Sequence, residues 1–206
     1  MDKVDSAFDD VKSEKIGPAI ILIDPQLGNN IGAAARAMLN CGLKDLRLVR
    51  PRDGWPNTAA VKMASGATEV LNNTKVFGNT LEAVSDLNLV LATTARMRDL
   101  SKTVLSPKQA ADRLIDHHAN AGRSGILFGP ERSGLVNDDV VLADAVINVP
   151  LNPNFSSLNL AQAVLLVGYE WFQNGIKPKI LDQETGRKMA AKVSEREYFY
   201  ERLESE

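Results

Sequence analysis

Cysteine is nearly missing from this 206-residue chain, and the single Cys41 excludes an internal disulfide. The two histidines, His117 and His118, are adjacent and far from that cysteine, so no zinc-ligand spacing exists. No apolar run approaches the roughly 18 residues that cross a bilayer. The N-terminus MDKVDSAFDD is acidic where a secretory leader would be basic and then apolar. A reducing, cytoplasmic location follows as the expectation. Global positive charge is lacking too: 24 Lys+Arg stand against 26 Asp+Glu, a formal charge of -2, so total charge names neither nucleic acid nor membrane as a partner. Neither GxGxxG nor GxxxxGK[ST] occurs after a strand, which argues against a dinucleotide or P-loop site.

What is present is a patterned core. At 44% hydrophobic residues the length suits one domain of common size. From Ala19 apolar runs alternate with helical periodicity: AIILID, DLRLVR, Val76-Phe77, LNLVLATT, GILFG and DAVINVP read as six strands. Helices are predicted up to Gly42, from Ser106 through His118, near Asn137 and to Phe172. Continuous apolar strands separated by helices indicate an α/β fold, a mostly parallel sheet covered on both faces. Residues 18–174 form the expected domain, residues 1–17 an N-terminal extension, and residues 175–206 a charged C-terminal extension. In such sheets ligands gather at the carboxyl ends of strands, which here are the loops after Asp24, Thr93, Phe128 and Val149.

Three of those loops carry polar residues with chemical potential. NNIGAAARAMLNCG opens a helix whose apolar stripe is Ile31, Ala34, Ala35, Met38 and Leu39, leaving Asn30 and Arg36 off the stripe and Gly42 as its terminator. Asn30 reads either as a helix cap or, with Arg36, as part of an anion site. In ILFGPERSGL a buried strand stops at Gly129-Pro130 and presents Glu131 and Arg132, an orienting carboxylate or a simple Glu–Arg pair closing a turn. NVPLNPNFSSLNLAQAV joins a strand, a proline-punctuated loop and a long helix; Ser156 or Ser157 would cap that helix, with Asn159 in its first turn. Residues 36–62 hold six basic side chains (Arg36, Lys44, Arg47, Arg50, Arg52, Lys62) against Asp45 and Asp53, and TTARMRDLSK adds Arg96, Arg98 and Lys102. The histidines read as surface residues on a polar helix, and Cys41 as a small buried one.

Taken in order, N-x-G-A-x-x-R, then GPE followed by S-G-L, then N-V-P-L with S-L-N resemble the three motifs of the SPOUT superfamily, the TrmH-type RNA 2′-O-ribose methyltransferases, over about Pro18 to Phe172. ATTAR at Ala92–Arg96 and NVPLNPNFSSLNL resemble the TrmJ-like branch, which acts on an anticodon-loop cytidine or uridine of tRNA. The resemblance implies S-adenosylmethionine as cofactor, a homodimer, and a C-terminal trefoil knot that connection rules would never suggest. By position it implies a catalytic set of Asn30, Arg36, Glu131, Ser157 and Asn159, and cofactor-binding loops with Thr93, Leu127, Gly129, Ile147, Val149, Leu151 and Leu158. RNA would lie along Arg47, Arg50, Arg52, Arg96 and Arg98, with no membrane partner and no metal. Arg36 more naturally steadies a forming alkoxide than accepts its proton, because arginine titrates above about 12. Ribosomal RNA is the rival substrate within the family. A catalytically silent RNA-binding module and a nucleotide-cofactor oxidoreductase are the readings from other classes.

Overall fold

A computed structural model describes residues 17–94 and 102–175. The chain alternates between strands and helices: β1 (Ala19–Ile23), α1 (Gly28–Asn40), β2 (Leu46–Val49), α2 (Thr58–Ala64), α3 (Thr68–Asn72), β3 (Lys75–Phe77), α4 (Thr80–Val84), β4 (Leu89–Thr93), β5 (Val104–Leu105), α5 (Pro107–Ala119), β6 (Ser124–Phe128), α6 (Asn137–Val141), β7 (Ala145–Ile147) and α7 (Leu160–Gly175). Seven strands form one sheet in the order β3-β2-β1-β6-β4-β7-β5. Each neighbouring pair runs parallel. The expected α/β class with a mostly parallel sheet is what the chain adopts.

Strand β1 is apolar and buried at every position because both faces of the sheet are covered. In β1, Ile20 and Leu22 pack with Ile31, Ala34 and Met38 of α1, Leu114 of α5 and Val164 of α7. Ile21 and Ile23 face the opposite way, into a smaller core with Ala83 and Val84 of α4 and Val140 near the end of α6. The predicted α1 stripe is buried except for partly exposed Leu39, and Gly42 ends the helix at φ 68°. Helix α5 starts where sequence places it, with Ser106 and Gln109 closing a reciprocal capping box. The border strands β3 and β5 are only three and two residues long. The sequence reading includes neither β5 nor α4, which are two and five residues long.

Several basic and polar side chains depart from expectation. The resemblance places Arg47 on an RNA-facing surface, yet it lies in β2 at 1% exposure. Its guanidinium donates to both Asp45 and Asp86 and, at 2.7 Å, to the Ala83 carbonyl. Burial works to lower the Arg47 pKa, but the hydrogen bonds and charges of Asp86 and Asp45 outweigh it and raise it further. A side chain so enclosed has no donor left for RNA. Lys102, counted with the basic loops, instead caps the end of α6, donating to the carbonyls of Val141 and Ala143. The histidines are half-buried rather than surface residues: His118 Nε2 lies 2.7 Å from Ser124 Oγ with its ring edge-on to Trp171, and burial lowers its pKa. Cys41 is buried, as expected, and burial raises its thiol pKa.

Candidate active site

The loops after β1, β6 and β7 meet at the carboxyl edge of the sheet, beside the reversal in strand order between β1 and β6. Glu131 sits between them. Its Oε1 accepts from Asn30 Nδ2 at 2.7 Å and its Oε2 from the Gln26 main-chain N–H at 3.0 Å. Both carboxylate oxygens are thus engaged by the first loop, more than one hundred residues away in sequence, and no ion pair joins Glu131 to Arg132. Asn30 in turn accepts from Asn159 Nδ2 at 3.0 Å through its own Oδ1. Glu131, Asn30 and Asn159 therefore form one hydrogen-bonded chain across all three loops.

Local folding explains why each side chain is free for that role. Helix α1 begins without a side-chain cap, and the Asn30 N–H is satisfied by the Leu27 carbonyl at 3.0 Å, so the Asn30 amide points outward to Glu131. Asn159 caps α7: its Oδ1 accepts from the Ala161 N–H at 2.9 Å, and Gln162 returns a bond to the Asn159 N–H. The cap expected from Ser156 or Ser157 is thus supplied by Asn159, whose Nδ2 remains for Asn30. The serines are left exposed on the cavity wall.

Glu131 also lines a cavity of about 390 Å³. Its walls include Thr93, Gly129, Ile147, Val149, Leu151, Ser157 and Leu158, all expected there from sequence. Arg132, Ser156 and the Gly134-Leu135 pair of the S-G-L motif also line it, and Ala163 joins them without having been marked by sequence. Gly129 is required by close approach: a Cβ would collide with the main chain of Gly134 and Leu135, where the loop folds back on itself. Leu127 is a correction. It is buried in β6 on the other face of the sheet, and only its carbonyl takes part, accepting from Thr93 Oγ1 at 2.9 Å. Strand alternation accounts for it, since Phe128, the next residue, faces the cavity.

Arg36 lies outside this cluster. Six residues beyond Asn30 on a helix puts it about 9 Å along the axis and about 120° round. Its side chain is exposed and makes no hydrogen bond or ion pair among the described residues. Arg50 and Arg52 are also at this edge, but each has internal partners: Arg50 pairs with Asp24 and Arg52 with Asp53 and the Gln26 carbonyl. Arg96 and Arg98 fall outside the described residues. Among the described residues no group of three His, Cys, Asp or Glu is placed to hold a metal. The Gln26 N–H is the member of this cluster that sequence reasoning missed, and no residue-type signal marks it because the donor is main chain.

Residues 17–169 match the model of the SpoU rRNA Methylase family. The tRNA (cytidine/uridine/adenosine-2′-O-)-methyltransferase TrmJ of Pseudomonas aeruginosa is 35% identical over 193 residues, covering 90% of this chain and 75% of its own. A crystal structure of TrmJ from Z. mobilis ZM4 is 60% identical over 76% of this chain and 68% of its own, at a TM-score of 0.73. The SpoU methyltransferase AviRb of Streptomyces viridochromogenes, solved with AdoMet, shares the fold at 18% identity and a TM-score of 0.64, over 78% of this chain and 58% of its own. The chain spans between 58% and 76% of the length of curated relatives it matches.

Proposed function

Because the chain belongs to the SpoU rRNA Methylase family, we propose that it transfers a methyl group from S-adenosylmethionine to a ribose 2′-hydroxyl of RNA, with tRNA as the substrate. The observation that carries this reading is the Glu131–Asn30–Asn159 chain at the rim of the cavity, since it unites all three motifs in one place. The relatives bearing TrmJ names support tRNA and an anticodon-loop cytidine or uridine. Ribosomal RNA is the alternative that the same experiment distinguishes.

The cavity fits a nucleoside-bearing donor. Ile147, Val149, Leu151 and Leu158 offer apolar walls for a purine, while Gly129 brings main chain close enough to read its edges. When bound, the sulfonium supplies an electrophilic methyl and a neutral thioether leaving group. The protein's task is then alignment of hydroxyl, carbon and sulfur, which supplies much of the rate. Glu131, held by two donors, fixes the loop that forms the cavity floor and places a negative charge beside it. Asn30 and Asn159 hold the first and third loops to that carboxylate, and Ser157 on the wall is free to bond the ribose. Arg36 steadies the forming alkoxide; the proton leaves through water or a phosphate oxygen, since no histidine lies at this edge.

A homodimer belongs to this reading. Helix α7 exposes Leu165, Leu166 and Tyr169, an apolar surface that a second copy would cover, and Arg36 would then serve a site completed by two chains. The trefoil knot through the last strands and the cytoplasmic location are part of the same proposal; no helix among the described residues is long and apolar enough to cross a membrane. RNA would contact Arg96 and Arg98, and binding would weaken with salt. The test is methyl transfer from labelled donor to total RNA and to purified tRNA, with nuclease mapping of the modified nucleoside. A 2′-O-methylated tRNA nucleoside is the expected product. Labelled ribosomal RNA alone would replace the substrate, and no labelled RNA would remove the activity.

A further inference from the structure

The turn that offers the Gln26 N–H to Glu131 is itself gripped from the end of β2. The Asp24 N–H donates to the Val49 carbonyl at 2.9 Å, and the Asp24 carboxylate accepts from Arg50 Nε at 2.9 Å and Nη2 at 2.8 Å. Both residues stand in the left-handed region, at φ 45° and 46°, which residues with a side chain adopt at a cost and keep when their surroundings hold them. Arg52 secures the next two residues. Its N–H donates to the Pro25 carbonyl at 3.1 Å, and its Nη2 donates to the Gln26 carbonyl at 2.7 Å.

One detail of connectivity gives these bonds a direction. The Pro25 carbonyl and the Gln26 N–H belong to the same peptide group. The main-chain N–H of residue 52, which substitution by any residue except proline keeps, polarises that group and strengthens its N–H as a donor toward Glu131 Oε2. The Arg52 guanidinium then fixes the far side of Gln26, so the residue is held at its donor, its preceding peptide and its carbonyl. The segment from Arg50 to Arg52 also leads to Asn57, which caps α2 through bonds to the Ala59 and Ala60 N–H groups. Helix α2 packs so closely on α1 that a Cβ at Gly32 would strike the Ala60 carbonyl. The clamp is therefore anchored to the helix that carries Asn30.

We propose that Arg52 is a positioning residue for Glu131, acting through Gln26, with the Asp24–Arg50 pair as its second support. An exposed arginine that only met RNA phosphate would have no reason to order its guanidinium on a main-chain carbonyl of the catalytic turn. The catalytic consequence rests on the methyl-transfer reading, whereas the clamp itself does not.

The experiment compares Arg52→Ala, Glu131→Gln and the double variant with the full chain, reading Gln26 amide exchange by NMR, kcat and KM for tRNA methylation, and RNA affinity across salt. In Arg52→Ala the Gln26 amide should exchange about tenfold faster, and kcat should fall about tenfold with KM for RNA unchanged. In the Glu131→Gln background the same change should cost about twofold or less, because the two residues act in one chain. Arg52→Gln, which keeps a donor without the charge, should recover part of the loss. Unchanged Gln26 exchange, additive losses, or weaker RNA binding with a salt slope shallower by about 0.7–0.9 would overturn the proposal and return Arg52 to phosphate contact. A wild-type chain that methylates no RNA would defeat the activity while the amide exchange still decides the clamp.

Discussion

Replacing Arg47 by methionine keeps most of the side-chain length and removes the charge, so it isolates what the guanidinium does. Three groups lose their donor: the Ala83 carbonyl and the carboxylates of Asp45 and Asp86. Removing one partner of a buried ion pair costs about 3–5 kcal/mol when the other is left without water. Here the Asp45 and Asp86 side chains are 23% and 37% exposed, so water takes up part of the charge, and Arg123 remains bound to Asp86 at 2.8 Å. The loss should therefore fall at the low end, about 3 kcal/mol, which in a chain of this size lowers Tm by about 6–12 °C. The assay is thermal unfolding beside RNA binding over a range of salt. Because Arg47 is enclosed, the slope of log affinity against log salt should not change. A Tm within about 1 °C of the parent, together with a slope shallower by about 0.7–0.9, would refute the reasoning and make Arg47 a phosphate contact.

Other expectations follow from the same geometry. Asn159→Ala removes both the α7 cap and the bond to Asn30, so stability should drop by about 1 kcal/mol alongside activity, whereas Asn159→Asp keeps the cap acceptor and should lose activity with stability retained; urea titration and methyl transfer separate the two. Gly129→Ala drives a Cβ into the Gly134–Leu135 main chain and should abolish donor binding by calorimetry. His118 has a folded pKa below its ordinary value because of burial. Its neutral form is the one the fold prefers, so stability is fully present above about pH 6.5 and is lost as pH falls from there through the lowered folded value. His118→Gln should flatten that decline in urea midpoints between about pH 7 and pH 5.

The fold was legible where chemistry repeats along the chain. Apolar runs bounded by turn residues marked six strands, and the i, i+3, i+4 stripe of α1 marked its buried face. The two residues of β5 and the single turn of α4 are too short for a period, and unlike α6 and β3 they were not picked out by an apolar run or turn signal beside them. Among the site residues, Asn30, Glu131 and Asn159 were recognisable because each is polar at the end of an apolar strand or the start of a helix. Arg47 was misjudged because a sequence shows a charge without its partners: Asp86 lies 39 positions away and comes close only through α4 packing beneath β2. Leu127 was misjudged by one residue, the interval that turns a strand side chain to the other face. Gln26 acts through its backbone, which no residue code reports.

Short strands border the sheet on both sides. A margin of three residues on one side and two on the other presents very few open amide and carbonyl groups to the surroundings, too few to template the addition of a foreign strand. Self-association by edge-to-edge sheet extension is thereby discouraged.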